Sequence, residues 1–218
     1  MKKEEISPEL YKKILECFMK SIMKNGLKAT TMDSIAASLQ MSKRTLYELF
    51  GTKEELFREV HEYFHKKTVE KMADIFANSS NVMEAIIKCF IFNRDFMSDM
   101  SPAFIRDMQA FANQRVENSE DKRRHHHQNL FDVLQKGVSE GYFRNDVNLP
   151  VQCRMFTLQM EALKSAEELF PDDISLLEIY DSIIIGFLRG ISSPKGLEQL
   201  EKFMPDFNSV NNQASYLK

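Results

Sequence analysis

Glycine and proline are scarce in this chain, at 7 and 6 of 218 residues, and no run of alternating β-branched residues marks a strand. The fold class read from this is all-α. Cysteine is equally sparse: Cys17, Cys89 and Cys153 are widely spaced and fit neither a disulfide framework nor a zinc pattern. They read as buried thiols of a reducing cytoplasm, with redox sensing as the lesser alternative. No stretch approaches 18 consecutive apolar residues, which argues against a membrane-spanning helix. The opening MKKEEISPEL has two lysines but no apolar segment behind them, unlike a secretory signal. Cytoplasmic localisation is the expectation.

Apolar bulk is plentiful. Hydrophobic residues make up 43% of the chain, with 17 Phe and 13 Met, enough for one large or two modest domains. Net charge is −3, which at first argues against nucleic acid, but the charge is unevenly spread. Residues 1–60 hold 11 Lys+Arg and 9 Asp+Glu, a balance of +2; the remainder holds 18 and 23, a balance of −5. A small, mildly basic head on an acidic body follows, with weak and salt-sensitive non-specific DNA affinity.

The basic end coincides with a motif, residues 26–56, GLKATTMDSIAASLQMSKRTLYELFGTKEEL. Thr31 is an N-cap candidate before a helix over Met32–Leu39, where Met32, Ile35, Ala36 and Leu39 recur at helical spacing. Gln40 and Met41 form a short break, and Ser42 is a second N-cap candidate before a helix over Lys43–Phe50. Leu46, Leu49 and Phe50 form the inner face of that helix, while at roughly 100° per residue Arg44, Thr45, Tyr47 and Glu48 fall across the opposite arc. Such an outer face suits a major groove lined with phosphates and base edges. Gly51 ends the helix, and Thr52-Lys53-Glu54-Glu55 is a capping box opening the next.

The order of these residues resembles the tetracycline-repressor (TetR) family of one-component bacterial regulators. Gly26, Thr30, Thr31, Ile35, Ala36, Ser42, Lys43, Thr45, Leu46, Tyr47, Phe50, Lys53 and Leu56 stand in register with its amino-terminal pattern. Further on, Gly137 to Asp146 (GVSEGYFRND) resembles the family's ending of a body helix, with Gly141 just past its end. The resemblance implies a three-helix, helix-turn-helix head on a helical effector-binding and dimerisation body, about nine to ten helices in all.

Local patterns agree. Ser7-Pro8-Glu9 opens a first helix to about Asn25, with Leu10, Ile14, Phe18 and Ile22 in one stripe. A fourth helix runs from Lys53 to about Phe76; Leu56, Phe57, Val60 and Phe64 face the head, and Met72, Ile75 and Phe76 face the body. Helices follow over Val82–Met97, from Pro102, and from Ser119 to Glu140. An eighth is expected over about Pro150–Phe170 and a ninth, apolar nearly all round, over about Ile174–Ile191. A helix so apolar near the end of the chain needs cover on several sides, most simply from a second copy. Met160, Leu163, Ile183, Gly186, Phe187 and Gly190 are the interface candidates, and the resemblance implies the same helix pair. A short helix over Pro194–Met204 precedes a polar tail. The expected domains are 1–55, 56–205 and a tail over 206–218.

For DNA, Arg44 suits a guanine edge or a phosphate, Thr45 a thymine methyl, and Lys43, Lys53, Thr30 and Thr31 phosphates. Tyr47 is a phosphate contact by the resemblance. Glu48 suits a cytosine amine, or limits non-specific binding. For an effector, Phe90, Arg94, Met97, Phe104, Met108, Phe111, His127 and Phe156 are candidate cavity residues, Met and Phe making adaptable apolar walls. Arg94 or Arg106 would anchor an anionic group. His61 and His65, four apart, lack a third ligand at convincing spacing, and His125-His126-His127 point about 100° apart on one helix, so no metal is expected. No cofactor is expected either, and without a Gly-rich phosphate loop, nucleophile elbow, HExxH or CxxC, catalysis has no support.

The reading is a DNA-binding transcriptional regulator: a homodimer on double-stranded operator DNA, a repressor released by a small, largely apolar effector, with no membrane partner. The alternative is a helix-turn-helix protein controlled by a protein partner or acting architecturally.

Overall fold

The computed structural model describes residues 6–114, 119–171 and 173–208, with the side chains of 109–114, 119–127, 164, 167, 168 and 205–208 left aside. The described residues form helices joined by short turns: α1 (Pro8–Asn25), α2 (Met32–Ser38), α3 (Lys43–Phe50), α4 (Lys53–Ala77), α5 (Val82–Ser98) and α6 (Pro102–Gln114). They continue with α7 (Ser119–Ser139), α8 (Leu149–Ala162), α9 (Ala166–Leu169), α10 (Leu176–Ile191) and α11 (Pro194–Asn208). No strand forms among them, only an isolated bridge between Phe143 and Ser192. None of their helices is long and apolar enough to cross a membrane.

Two units emerge. The first takes the chain through Met72 together with Asp99–Phe111; the second takes Ala73–Ser98 and the chain from Ala112. The head therefore closes later than a boundary at residue 55 implies. Leu56, Phe57, Val60 and Phe64 of α4 are all buried and complete a core with Ile14, Leu15, Phe18 and Ile22 of α1. Past that point α4 is more open: Met72 and Ile75 are half-buried and Phe76 is 37% exposed.

The second unit packs α5 against α7, α10 and α11, and α8 against α7 and α10. Its core joins Met83 and Ile87 of α5, Leu134 of α7, Cys153 and Phe156 of α8, and Ile184 and Leu188 of α10. Gly141 ends α7 at φ +78°, and the chain doubles back until the Phe143 ring lies where a Cβ on Gly137 would stand, 2.2 Å away. Only glycine permits that approach.

The expected eighth helix is not continuous. After Ala162 the chain tightens into a 3-10 turn, Leu163–Ser165, before α9. In a turn of three residues, side chains i and i+3 eclipse, which brings Leu163 and Ala166 to the same side; both are buried. Inside the same core lies an ion pair, Arg94 Nε 2.8 Å from Asp181 Oδ1, with side chains 12% and 21% exposed. Next to it the Tyr180 hydroxyl donates to the Phe90 carbonyl at 3.0 Å.

Burial raises all three thiol pKa values, that of Cys89 to about 11. An unfolded Cys89 ionises near 9.0, so unfolding releases its proton between the two values and raising pH through that window destabilises the fold. We expect Cys89 to resist thiol reagents at neutral pH and to label only on unfolding or near its raised pKa; rapid native labelling at pH 7 would contradict this. Asp181→Ala strands a buried guanidinium and should cost about 3 kcal/mol, most of it regained in the apolar double variant Arg94→Met/Asp181→Leu. Urea melts would reject this cost if the single variant proved no weaker than the double.

Candidate nucleic-acid interface

Short helices need external support. At seven and eight residues, α2 and α3 are well below the length at which an isolated helix persists. Caps and burial hold them. Thr31 accepts from the Ser34 N–H at 3.1 Å while the Ser34 hydroxyl accepts from the Thr31 N–H at 3.2 Å, a reciprocal box. Ser42 takes the N-cap position of α3, yet its hydroxyl makes no capping bond. Gly51 closes α3 at φ +69°, and the Thr52/Glu55 box opens α4. Leu46, Leu49 and Phe50 are buried, and the Phe50 ring stacks on Tyr11 of α1 at 5.9 Å.

The opposite face is open. The side chains of Lys43 and Arg44 are 57% and 87% exposed, and Tyr47 is 43% exposed. Thr45 is half-buried and Thr31 exposed. Both cations have carboxylate neighbours: Lys43 Nζ lies 2.7 Å from Asp33 Oδ2, and Arg44 Nε lies 2.8 Å from Glu48 Oε1. The hydrogen bond from Arg44 lowers the Glu48 pKa below the usual carboxylate value, and the bond to Asp33 raises that of Lys43.

Two candidates are used inside the head instead. Thr30 is 1% exposed; its hydroxyl donates to the Gly26 carbonyl at 2.9 Å, so it cannot reach a phosphate. Lys53 is half-buried and donates to the Leu27 carbonyl at 3.0 Å. Both bonds fix the turn between α1 and α2. The same turn is held by Asp107 of α6, whose carboxylate accepts from the N–H groups of Leu27 and Lys28. Gly26, at φ +80°, is essential to this junction, since a Cβ there would stand 2.8 Å from the Ala103 Cβ. Asp107 escaped the sequence reading because nothing local ties it to a turn some 80 residues earlier.

On the outer side, a cleft of about 420 Å³ lies over Leu49, Phe50 and Gly51, rimmed by Glu55, Glu59 and Glu62 with Arg58. Its acidic rim repels phosphate, so the open face of α3 is the better DNA surface.

The effector candidates are dispersed. Phe104 and Met108 fall in the first unit, whereas Phe90, Arg94, Met97 and Phe156 fall in the second. Phe156 packs its ring 5.8 Å from Phe90 and 4.4 Å from Phe187, and Arg94 is neutralised by Asp181 rather than left for an anion. Arg106 is exposed. Phe111 and His127 lie outside the residues whose side chains are described. His61 and His65 stack at 6.3 Å; among the described residues no group of three potential ligands could hold a metal ion.

Of the interface candidates, Leu163 and Phe187 are turned inward, 8% exposed in the protomer's own core, and Met160 and Ile183 are half-buried. Gly186 and Gly190 are exposed, with nothing within 4 Å of where a Cβ would stand. On α8, Val151, Met155 and Leu158 are 47%, 52% and 64% exposed at helical spacing.

The short helices α2 and α3, with an open Arg-Thr-Tyr face on the second, define a helix-turn-helix DNA-binding protein. Comparison with known proteins narrows this. Residues 14–60 match the family described as bacterial regulatory proteins, tetR family. The HTH-type transcriptional repressor KstR2 of Mycobacterium tuberculosis is 27% identical over 145 residues, 65% of this chain and 72% of that protein. Its solved structure covers 86% of this chain and 97% of its own at a TM-score of 0.56 and 20% identity. An uncharacterized HTH-type transcriptional regulator of Bacillus subtilis, YhgD, is 43% identical over 60 residues, 28% of this chain and 31% of that one. A putative transcriptional regulator of Saccharomonospora viridis, solved with choline, shares the fold at a TM-score of 0.65 and 15% identity, covering 86% of this chain and 100% of that one. Residues 14–60 thus carry a DNA-binding domain of the TetR family type, the rest of the chain shares the fold of such regulators, and the protein is a DNA-binding regulator of transcription.

Asp107→Ala should release the Leu27 and Lys28 amides, accelerate their hydrogen exchange and cost the head about 2 kcal/mol, with Asp107→Asn intermediate. Unchanged exchange at both amides would show that the carboxylate does not hold the turn. Gly26→Ala should be at least as harmful, since it combines a left-handed backbone with a collision.

Proposed function

We propose that this regulator is a homodimeric repressor that leaves a near-palindromic operator when a small, largely apolar effector binds its body. The observation that carries the DNA reading is the open face of α3, where Lys43, Arg44, Thr45, Tyr47 and Glu48 project from a helix whose other face is fully buried. Arg44 reads a guanine edge, Thr45 a thymine methyl, and Tyr47, Lys43 and Thr31 position the head on phosphates. Lys53 acts from behind, through the turn it holds. The DNA-reading surface thus lies within residues 1–55, and effector binding and dimerisation belong to 56–205.

The two-fold assembly is supported by the exposed stripe Val151, Met155 and Leu158 on α8 and by the open backbone at Gly186 and Gly190 on α10. A second copy of α8 and α10 would cover that stripe in a four-helix arrangement and set two α3 helices about one turn of DNA apart. The name of one similar protein supports the effector class: KstR2 is described as a ketosteroid transcriptional regulator. In this chain Phe90, Phe156 and Phe187 would supply the apolar wall, with the Arg94–Asp181 pair as its polar element.

Transmission follows the chain. Helix α6 leaves the first unit after Phe111, and within that unit its Asp107 holds the turn that carries α2 and α3. An effector that strains α6 loosens that hold. To move the operator from mostly occupied to mostly free it must favour the released state by about 3–5 kcal/mol. A protein acting this way works where the chromosome is, in the cytoplasm.

Selection of bound sequences from a random duplex pool should enrich an inverted repeat, and Arg44→Ala should abolish that enrichment. Leu158→Glu should yield a monomer by sedimentation and lose the repeat. A dimer that survives this change would reject the α8 surface; enrichment without symmetry would reject the two-fold operator.

A further inference from the structure

The cations of the reading helix come with an equal opposing charge. Asp33, at the start of α2, reaches across to Lys43 at the start of α3, 2.7 Å away. Glu48 lies one turn along α3 from Arg44, 2.8 Å away. All four side chains face solvent, the carboxylates 58% and 38% exposed. Each of these two cations is thus opposed by a carboxylate in direct contact with it on the face assigned to DNA. This is unusual for a nucleic-acid interface, because each phosphate neutralised by a lone Lys or Arg releases condensed counter-ions and strengthens binding to any sequence.

We propose that Asp33 and Glu48 are specificity-determining residues: they cancel the pull of Lys43 and Arg44 on bare phosphate and leave base edges to decide where the protein binds. This rests on the assignment of α3 as the reading helix. Exposed ion pairs of this kind shift an equilibrium by less than about fivefold, so the cations are held loosely. On random DNA, an approaching phosphate attracts the cation and repels the carboxylate that stays beside it, and little is gained. Guanine offers Arg44 two acceptors, O6 and N7, in one plane, a match that discriminates between bases by about 5- to 150-fold and outweighs the internal pair. Glu48 lies on the same face and, as Arg44 turns to the base, can accept from a cytosine N4 amine. An operator with a G·C pair at this point satisfies both groups; other sequences leave a carboxylate against phosphates.

A purely structural role is also plausible for each acid on physical grounds. Asp33 sits in the first turn of α2, where the helix dipole favours a carboxylate, and Glu48 is an i,i+4 partner on a short helix. Those roles affect melting, not the salt dependence of DNA binding. The experiment therefore titrates the full chain and its Glu48→Gln, Asp33→Asn and Arg44→Ala variants against an unselected random duplex and against the sequences enriched from it, between about 50 and 200 mM salt. Removing one carboxylate should steepen the plot of log affinity against log salt for the unselected duplex by about one unit per head. Unselected affinity should rise roughly tenfold, and the enriched-to-unselected ratio should fall by a similar factor. If slope and ratio are unchanged in Glu48→Gln and Asp33→Asn, while Arg44→Ala loses the enriched sequence, the proposal fails and the reading helix stands. If Arg44→Ala binds as before, the reading helix itself is misassigned and the proposal falls with it.

Discussion

The head depends on one junction, the turn from Gly26 to Thr30. Two short helices cannot set their own orientation, and their burial against α1 and α4 leaves them free to shift unless the chain entering them is fixed. Here it is fixed from three directions. The Thr30 hydroxyl donates to Gly26, Lys53 of α4 donates to Leu27, and Asp107 of α6 accepts from Leu27 and Lys28. Glycine is required because the backbone is left-handed there and Ala103 leaves no space for a Cβ. The position of Arg44 thus depends on side chains whose polar groups are engaged inside the head. It also follows that Thr30 and Lys53, although they belong to the motif, serve to orient it.

Much of this was legible from local pattern. The caps at Ser7, Thr31 and Thr52 form their side-chain bonds, and the inner face of α3 is buried as its periodicity requires. These features depend on neighbours within four residues, so a linear reading captures them. Apart from Ser42, whose hydroxyl makes no capping bond, its misses depend on partners distant in sequence. Thr30 is a polar residue in a turn and gives no local sign that it is buried. Arg94 has its counter-charge 87 residues on. Leu163 and Phe187 look the same in sequence whether they face the protomer core or a second copy, since apolar periodicity marks a face without saying what covers it. The break after Ala162 carries no Pro or Gly, and only the tertiary position of Leu163 and Ala166 accounts for the tighter turn.

Arg94 and Asp181 show how the second unit differs from the first. On the open face of the head, the pairs Lys43–Asp33 and Arg44–Glu48 sit in water and cost little to open. In the body the pair is largely enclosed beside Tyr180 and apolar side chains, so either charge alone would be expensive to leave there. A ligand that engages one of them must satisfy the other, which favours molecules able to bridge both charges or to leave the pair intact and bury apolar surface nearby. The ring cluster of Phe90, Phe156 and Phe187 suits the second course, because aromatic rings in tilted contact can part and close again on an inserted apolar group.

Charge at the head and exposure on α8 act on the same quantity. If the carboxylates beside Lys43 and Arg44 screen them from phosphate as proposed, a single head would bind DNA weakly. Linking two such heads converts the second contact into an intramolecular one, and overall affinity then rises steeply with the accuracy of their spacing. Weak heads therefore make occupancy unusually sensitive to geometry: a small change in the separation of two α3 helices removes most of the avidity, whereas strongly basic heads would remain bound non-specifically. Were two copies to pair through the exposed α8 stripe, the screened reading faces and that stripe would form one design, in which release requires only that two weak contacts cease to be simultaneous.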